Sequence, residues 1–270
     1  MFDGVQCPCI LLQLIATGKP LSTAGMMIED RICTYTIAME RTVVPENFSF
    51  RMTDEEYRVL EKIKNSIPVC YLADHADFAL GIVTGNNKKF LSAEKTENSE
   101  MVLKGTDICK YHINPVKQYL RFEPEQFQQV APLEIYRAPE KLLYRFISNQ
   151  LVVAYDDRQM LSLNSCNIVI PKIEGMQIKY ILAILNSSVS QFVYQKEFHS
   201  IKVLRAHMEH IPIPRVGKAI QNEIIAMTEP LICGMGKEAA ETCQKRLDCR
   251  IMDLFRLSAE EQWVIRHALH

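Results

Sequence analysis

The sequence lacks the long apolar runs that insertion into a membrane requires. No hydrophobic stretch reaches the roughly 20 residues of a membrane-spanning helix. Residues 9–16 are too short for such a helix, and no basic segment precedes them as in a signal peptide. A large net charge is also absent, because 31 Lys and Arg offset 32 Asp and Glu. We therefore expect no membrane partner, and any nucleic-acid partner must contact a local basic surface.

Motifs for metal, nucleotide and nucleophile chemistry are missing as well. Cys7-Pro8-Cys9 is too tight for a zinc site, and His207 and His210 have no cysteine nearby. The segment 81–88 does not have the spacing of a phosphate-binding loop, and a strand rather than a helix is expected after it. We therefore predict no metal site and no catalytic residue in this chain. The 9 cysteines are an odd number and are expected to be reduced thiols in a cytoplasm.

The central part of the chain combines short strands with one helix. Runs rich in Leu, Ile, Val and Tyr, separated by polar turns, predict strands at 141–147, 151–155 and 166–170 and an extended piece at 160–162. From Tyr180 to Val193 the apolar residues recur at intervals of three and four, which predicts a helix that covers the small sheet. This mixture indicates an α+β fold.

Capping signals predict further helices on both sides of this scaffold. Thr53 is expected to cap a helix that ends at Asn65, with Glu56 as its capping-box partner. Near the end of the chain, the periodicity of apolar residues predicts helices at about 218–229, 237–255 and 258–268, and Ser258 with Glu261 is expected to form the capping box of the last one.

Two local groups of polar and basic residues are candidates for contact with DNA. A strand at 78–83 is expected to enter a turn at 84–87 and to return at Phe90 and Leu91 as the second strand of a hairpin. The asparagines of this turn can pair with adenine edges, and its lysines can neutralise phosphates. The second group lies in 196–215, where four Lys and Arg stand close together. A solvated helix end is the default interpretation of this group, and phosphate contact is favoured only if it lies beside the turn.

Several sequence features occur in the order found in one known family. They are GIVTGNNKKF (81–90), KGTDI (104–108) with Tyr111, KLLYR (141–145), LNS (163–165) followed by Ile170-Pro171, YILAILNS (180–187) and IPIP (211–214). Their shared order resembles the TaqI-like C-terminal specificity domain of N6-adenine DNA methyltransferases from restriction-modification systems. The resemblance covers about 76–215. It implies a small β-rich domain with packed helices that recognises a specific sequence in double-stranded DNA.

The same resemblance implies that the catalytic half of such an enzyme is missing here. Residues 2–12 look like the last strands of the family's α/β methyltransferase core. No glycine-rich loop for S-adenosylmethionine is present, and Asn114-Pro115 begins an Asn-Pro-Pro-aromatic motif that Val116 and Lys117 break. We therefore expect no cofactor in this chain, although the parent enzyme would use S-adenosylmethionine. The parent family is a site-specific adenine-N6 DNA methyltransferase, but this chain is expected to be inactive alone.

The expected organisation has three parts: a remnant of the methyltransferase core at 1–50, a target recognition domain at 51–215 and a C-terminal helical segment at 216–270. The partners that the resemblance implies are double-stranded DNA and a methyltransferase catalytic domain or chain. Two alternatives remain open. The chain could be a protein-interaction module that does not bind DNA, or a subunit that completes a split methyltransferase.

The resemblance also implies a set of residues that contact DNA. The asparagines of the turn are the candidate base readers, and the lysines and arginines are the candidate phosphate contacts. The full set is Thr84, Asn86, Asn87, Lys88, Lys89, Lys110, Tyr111, Arg145, Ser165, Lys202 and Arg205.

Overall fold

The computed structural model describes residues 23–29, 34–41, 50–198 and 200–269. The chain divides into two compact units, Met1–Phe48 and Ser49–His270. In the first unit, β1 (Met26–Glu29) pairs antiparallel with β2 (Thr34–Ile37). The strands of a methyltransferase core that we expect within 2–12 lie outside the described residues.

The second unit contains the remaining strands and helices. Its strands are β3 (Val69–Cys70), β4 (Ala76–Ala79), β5 (Leu91–Ser92), β6 (Ser99–Leu103), β7 (Tyr119–Arg121), β8 (Lys141–Arg145), β9 (Val153–Asp156), β10 (Leu161–Ser162), β11 (Cys166–Pro171) and β12 (Ile213–Pro214). Its helices are α1 (Asp54–Asn65), α2 (Asn87–Phe90), α3 (Leu133–Tyr136), α4 (Ile178–Leu185), α5 (Ser188–Phe198), α6 (Arg205–Glu209), α7 (Lys218–Cys233), α8 (Lys237–Leu254) and α9 (Ala259–Ala268). The predicted α+β class is confirmed.

An antiparallel sheet in the order β4-β11-β8-β9 separates two hydrophobic cores. Along β8, Leu142 and Tyr144 pack into one core, whereas Leu143 packs into the other. Because both faces of the sheet are buried at β8, Leu142, Leu143 and Tyr144 form a continuous apolar run rather than an alternating one. The three strands predicted in this part of the chain are confirmed, and the extended piece at 160–162 is β10.

Helices cover one face of this sheet. α4 packs against α7, α7 packs against α8, and α1 packs against α9. The predicted capping box of α1 is present, with Thr53 accepting a bond from the Glu56 N–H and Glu56 accepting one from the Thr53 N–H. Ion pairs join Lys62 to Glu261 at 2.5 Å and Glu56 to Lys196 at 2.7 Å, so α1 is fixed to α9 and α5.

The single helix predicted from Tyr180 to Val193 is instead two helices, α4 and α5, separated at Asn186 and Ser187. The Asn186 side chain accepts a bond from the Val153 N–H at 3.1 Å and donates one to the Val153 carbonyl at 2.8 Å. These bonds satisfy backbone groups on the free edge of β9. Asparagine and serine can bond to nearby backbone groups, and this competes with continuation of a helix.

A second sheet, in the order β10-β6-β7-β5, lies over the other core. The predicted hairpin at 78–91 is wrong, because β5 pairs with β7 rather than with β4. A short helix, α2, follows the turn instead of a strand. The Asn86 side chain accepts a bond from the Lys89 N–H and so caps α2, while Phe90 packs edge-on against Phe127 with ring centroids 5.2 Å apart.

The three C-terminal helices predicted from periodicity are confirmed as α7, α8 and α9. α7 extends past the expected end and includes Pro230, because Leu231 in its last turn is buried in the helical core. Ser258 and Glu261 form the capping box of α9. Among the residues that the structure describes, no helix combines the length and apolarity needed to cross a membrane.

Candidate nucleic-acid interface

Two adjacent concavities on the second unit have volumes of about 450 and 280 Å³ and share Lys104 and Gln118. The two concavities meet at these residues, and together they are called a groove here. Its polar lining is made mainly of lysines and side-chain amides. We call it the lysine–amide groove and define it by Asn87, Lys88, Lys104, Lys117, Gln118 and Asn164.

The groove has a local excess of positive charge. Lys88, Lys104 and Lys117 are exposed, and none of them forms an ion pair with any residue in the described ranges. The acidic side chain in the lining is Asp107, whose carboxylate accepts the Lys104 backbone N–H at 2.9 Å. The ammonium groups therefore remain available to an anionic ligand, although the whole chain is nearly neutral.

Two glycines hold the loop 163–166 at the edge of the groove. A Cβ atom on Gly81 would overlap the Leu163 carbonyl group and would lie 2.8 Å from the Cys166 oxygen. A Cβ atom on Gly105 would lie 2.5 Å from the Ser165 oxygen. Neither approach is possible with a larger residue. The loop therefore lies between two backbone segments that touch it directly.

Two of the predicted DNA contacts, Arg145 and Ser165, are bonded within this arrangement. The Gly105 N–H donates to Ser165 Oγ at 3.0 Å. The Arg145 guanidinium donates to the Gly105 carbonyl at 2.8 Å and to the Ile108 carbonyl at 2.7 Å. Ser165 lines the groove, and Arg145 fixes the turn that follows Lys104. Both residues therefore shape the groove from within the protein.

The turn that carries five predicted contacts is tied to its neighbours. Thr84 is buried, and its hydroxyl donates to Asn87 Oδ1 at 2.6 Å. The Lys89 ammonium donates to Gln126 Oε1 at 2.7 Å and lies 4.8 Å from the centre of the Phe90 ring. Asn86 is occupied as the cap of α2. Within this turn, the groove is lined by Asn87 and Lys88.

Lys110 and Tyr111 support the edge of the central sheet. The Lys110 ammonium donates to the Asn186 carbonyl at 2.9 Å, and burial lowers the pKa of this lysine. Tyr111 is 2% exposed, and burial raises the pKa of its hydroxyl. Its backbone bonds to Val153 and Tyr155 cover the free edge of β9. The structure thus gives both residues partners inside the protein.

Backbone hydrogen bonds connect the segment that carries Lys202 to the loop at the edge of the groove. The Val203 N–H donates to the Phe146 carbonyl at 2.8 Å, and the Phe146 N–H donates to the Ser165 carbonyl at 3.0 Å. Lys202 is exposed, with its ammonium 5.9 Å from the Phe146 ring. Arg205, in contrast, is paired with Glu209 at 2.7 Å, which raises the pKa of the arginine. Lys202 therefore remains available to a ligand, whereas Arg205 is paired within the protein.

Sequence reasoning missed four groove residues: Lys104, Lys117, Gln118 and Asn164. Lys104 lies in KGTDI (104–108) and Asn164 lies in LNS (163–165), two of the sequence features that carry the family resemblance. Membership in these features was the sequence signal that could have identified both residues. Lys117 and Gln118 precede β7, and no local sequence pattern marks them. Within the described ranges, no three His, Cys, Asp or Glu side chains are grouped in a way that could hold a metal ion.

A family model described as the TaqI-like C-terminal specificity domain matches residues 100–213. No curated protein matches the chain. The HsdS subunit from Thermoanaerobacter tengcongensis is a solved structure with 15% identity and a TM-score of 0.41, and the match covers 80% of this chain and 50% of that one. The type IIL restriction-modification enzyme MmeI, in complex with DNA, has 11% identity and a TM-score of 0.48, with coverage of 74% and 35%. The chain spans half or less of the length of both proteins.

Proposed function

We propose that this chain recognises a target sequence in double-stranded DNA for a restriction-modification system, because residues 100–213 match a family model described as the TaqI-like C-terminal specificity domain. The matched segment includes four of the six residues that define the lysine–amide groove. Asn87 and Lys88 come shortly before it in the sequence.

The observation that carries the proposal is the chemistry of this groove. Phosphate contacts by Lys and Arg supply most of the affinity for duplex DNA and place the protein on the helix. Base edges are then distinguished by side chains that donate and accept hydrogen bonds, and amides suit adenine. The groove offers three unpaired lysines beside three amide side chains. This combination suits a surface that both binds the backbone and distinguishes bases.

The finer assignment is to an adenine-N6 DNA methyltransferase. In this proposal the chain supplies DNA recognition from 51–215, and a catalytic domain or a partner chain supplies S-adenosylmethionine binding and methyl transfer. The target adenine would be flipped into the pocket of that catalytic part. The segment 1–50 would be the remaining edge of a methyltransferase core.

The test compares two variants of the full chain that lose the same charge. One variant carries Lys88→Gln, Lys104→Gln and Lys117→Gln in the groove. The control carries Lys218→Gln, Lys237→Gln and Lys245→Gln, which are exposed and form no ion pair in the described part of the chain. Binding to a pool of random-sequence duplex DNA is measured over a range of salt concentrations.

We expect the groove variant to bind all sequences more weakly than the control does. The slope of log affinity against log salt should decrease by about 0.9 for each phosphate contact that is lost, and so by about 2.7 in total. The control should keep the wild-type slope. Equal behaviour of the two variants, or no salt-dependent binding by the wild-type chain, would contradict the proposed function and would favour a protein-interaction module.

A further inference from the structure

The loop 163–166 holds one groove residue, Asn164, on an immobilised backbone. The Leu163 N–H donates to the Leu103 carbonyl at 2.7 Å, and the Asn164 N–H donates to the Ile82 carbonyl at 3.1 Å. The loop is also closed on itself, because the Cys166 N–H donates to the Leu163 carbonyl at 2.7 Å. Together with the close contacts at Gly81 and Gly105, these hydrogen bonds hold the backbone of Asn164 in one position.

The side chain of Asn164 is exposed and makes no hydrogen bond to any described residue. The two asparagines of the turn differ in this respect. Asn86 caps α2, and Asn87 accepts the bond from the Thr84 hydroxyl. Asn164 therefore combines a fixed backbone with a free donor and a free acceptor, and it shares the groove lining with Lys88 and Lys104.

On the basis of the proposed DNA recognition, we infer that Asn164 is a specificity-determining residue that contacts the edge of an adenine in the major groove. An asparagine amide can donate to adenine N7 and accept from adenine N6, and no other base presents this pair. A fixed loop reduces the conformational entropy that is lost when the contact forms. The lysines beside it would hold the adjacent phosphates.

Ser165 acts on this contact as a positioning residue. Its hydroxyl accepts the Gly105 N–H, and the Gly105 carbonyl is held in turn by Arg145. Loss of the hydroxyl should allow the loop to move and should weaken discrimination at the base pair that Asn164 contacts. A purely structural role for Ser165 would lower the melting temperature without a change confined to that base pair.

The experiment selects bound duplexes from a randomised DNA pool with the full chain and its variants. The variants are Asn164→Ala, Asn164→Asp and Ser165→Ala, with Asn222→Ala as the control on α7. The affinity for random-sequence DNA and the melting temperature are measured for each variant. The Asn164 side chain is exposed and makes no hydrogen bond to any described residue, so neither of its substitutions is expected to unfold the protein.

We expect the wild-type chain and the control to enrich the same short motif. Asn164→Ala should lose discrimination at one base pair, by about 5- to 150-fold, so that its binding weakens chiefly on sequences that carry the preferred base there. Asn164→Asp should change the preferred base at the same position, because a carboxylate accepts from cytosine N4. Ser165→Ala should weaken the preference at that same base pair only.

Enrichment of the unchanged wild-type motif by Asn164→Ala would overturn the inference, and the proposed function would still stand. If Asn164→Ala weakened binding to every DNA sequence equally, the inference would also be overturned, because Asn164 would then contact the DNA backbone rather than a base. Failure of the wild-type chain to enrich any motif would instead count against the proposed function itself.

Discussion

Gly81 is required by a close approach of two backbones rather than by an unusual dihedral angle. A methyl group at this position would overlap the Leu163 carbonyl group. We predict that Gly81→Ala lowers the free energy of unfolding by about 1–3 kcal/mol, as overpacking of a core does. It should also displace the loop that carries Asn164.

Urea unfolding of this variant measures the loss, and Gly217→Ser is the control. Gly217 has open space around the position of a Cβ atom and precedes α7, where serine is a good cap. The control should therefore be as stable as the wild-type protein. Equal stability of Gly81→Ala and the wild-type protein would show that the loop can move away.

His207 links the stability of α6 to pH. Its ring is 8% exposed and stacks on Phe198 at 4.5 Å, and Nδ1 accepts the Leu204 N–H at 3.1 Å. Burial lowers the pKa of His207 below its ordinary value. Between the lowered pKa and about 6.5, the unfolded chain binds more protons at this position than the folded chain does. The free energy of unfolding should therefore fall as the pH decreases through this window.

The slope that His207 contributes is at most about 1.4 kcal/mol per pH unit. Urea unfolding of the wild-type protein and of His207→Phe, measured from pH 7.5 to pH 5, compares the two slopes. The variant loses the bond to Leu204 and should start from a lower stability, but its slope should be smaller. Identical slopes would mean that His207 keeps its ordinary pKa in the folded protein.

At the scale of single elements, the break between α4 and α5 places the Asn186 side chain where it satisfies the backbone of β9. Asn186→Ala would leave the buried Val153 N–H without an acceptor, whereas the Val153 carbonyl would keep its bond from the Tyr111 N–H. We predict a loss of about 1–3 kcal/mol in the free energy of unfolding for this one orphaned donor. Asn222→Ala removes an exposed hydrogen bond that the Gln177 side chain donates to Asn222, and it should lower the free energy of unfolding much less. Similar losses for both variants in urea unfolding would contradict this account.

The elements that the sequence predicts well are those whose signals are local. The periodicity that predicts α7, α8 and α9 and the capping boxes at Thr53 and Ser258 depend on neighbouring residues alone. The hairpin at 78–91 was mispredicted because the true partner of β5 is β7, which lies far along the chain. Turn composition indicates where a strand ends, but it does not identify the partner of the next strand.

The groove could be predicted only in part for the same physical reason. The lysines of the turn are visible in the sequence, yet Lys88 is available to a ligand whereas Lys89 is bonded to Gln126. Lys117 reaches the same groove from a segment without a helical or strand pattern. Which cations remain unpaired depends on tertiary neighbours, and these are set by the packing of the second sheet.

At the scale of the second unit, the central sheet couples two cores. Tyr144 contributes to the helical core, while Leu143, next to it on β8, contributes to the core under the second sheet. Neither core can open without exposing a face of the same strands. We therefore predict that both cores unfold in one cooperative transition, as single domains usually do.

Two natural reporters lie on opposite sides of this sheet. The only tryptophan, Trp263, is in α9 on the helical side, and Cys166 is fully buried in the other core. Burial raises the pKa of the Cys166 thiol, so it should not react with a thiol reagent in the folded protein. Trp263 fluorescence and pulsed labelling of Cys166, located by peptide mass spectrometry, should show the same urea midpoint. Exposed Cys233 and Cys249 should be labelled without urea and serve as controls. Labelling of Cys166 at lower urea than the Trp263 transition would mean that the side of the unit bearing the groove unfolds separately.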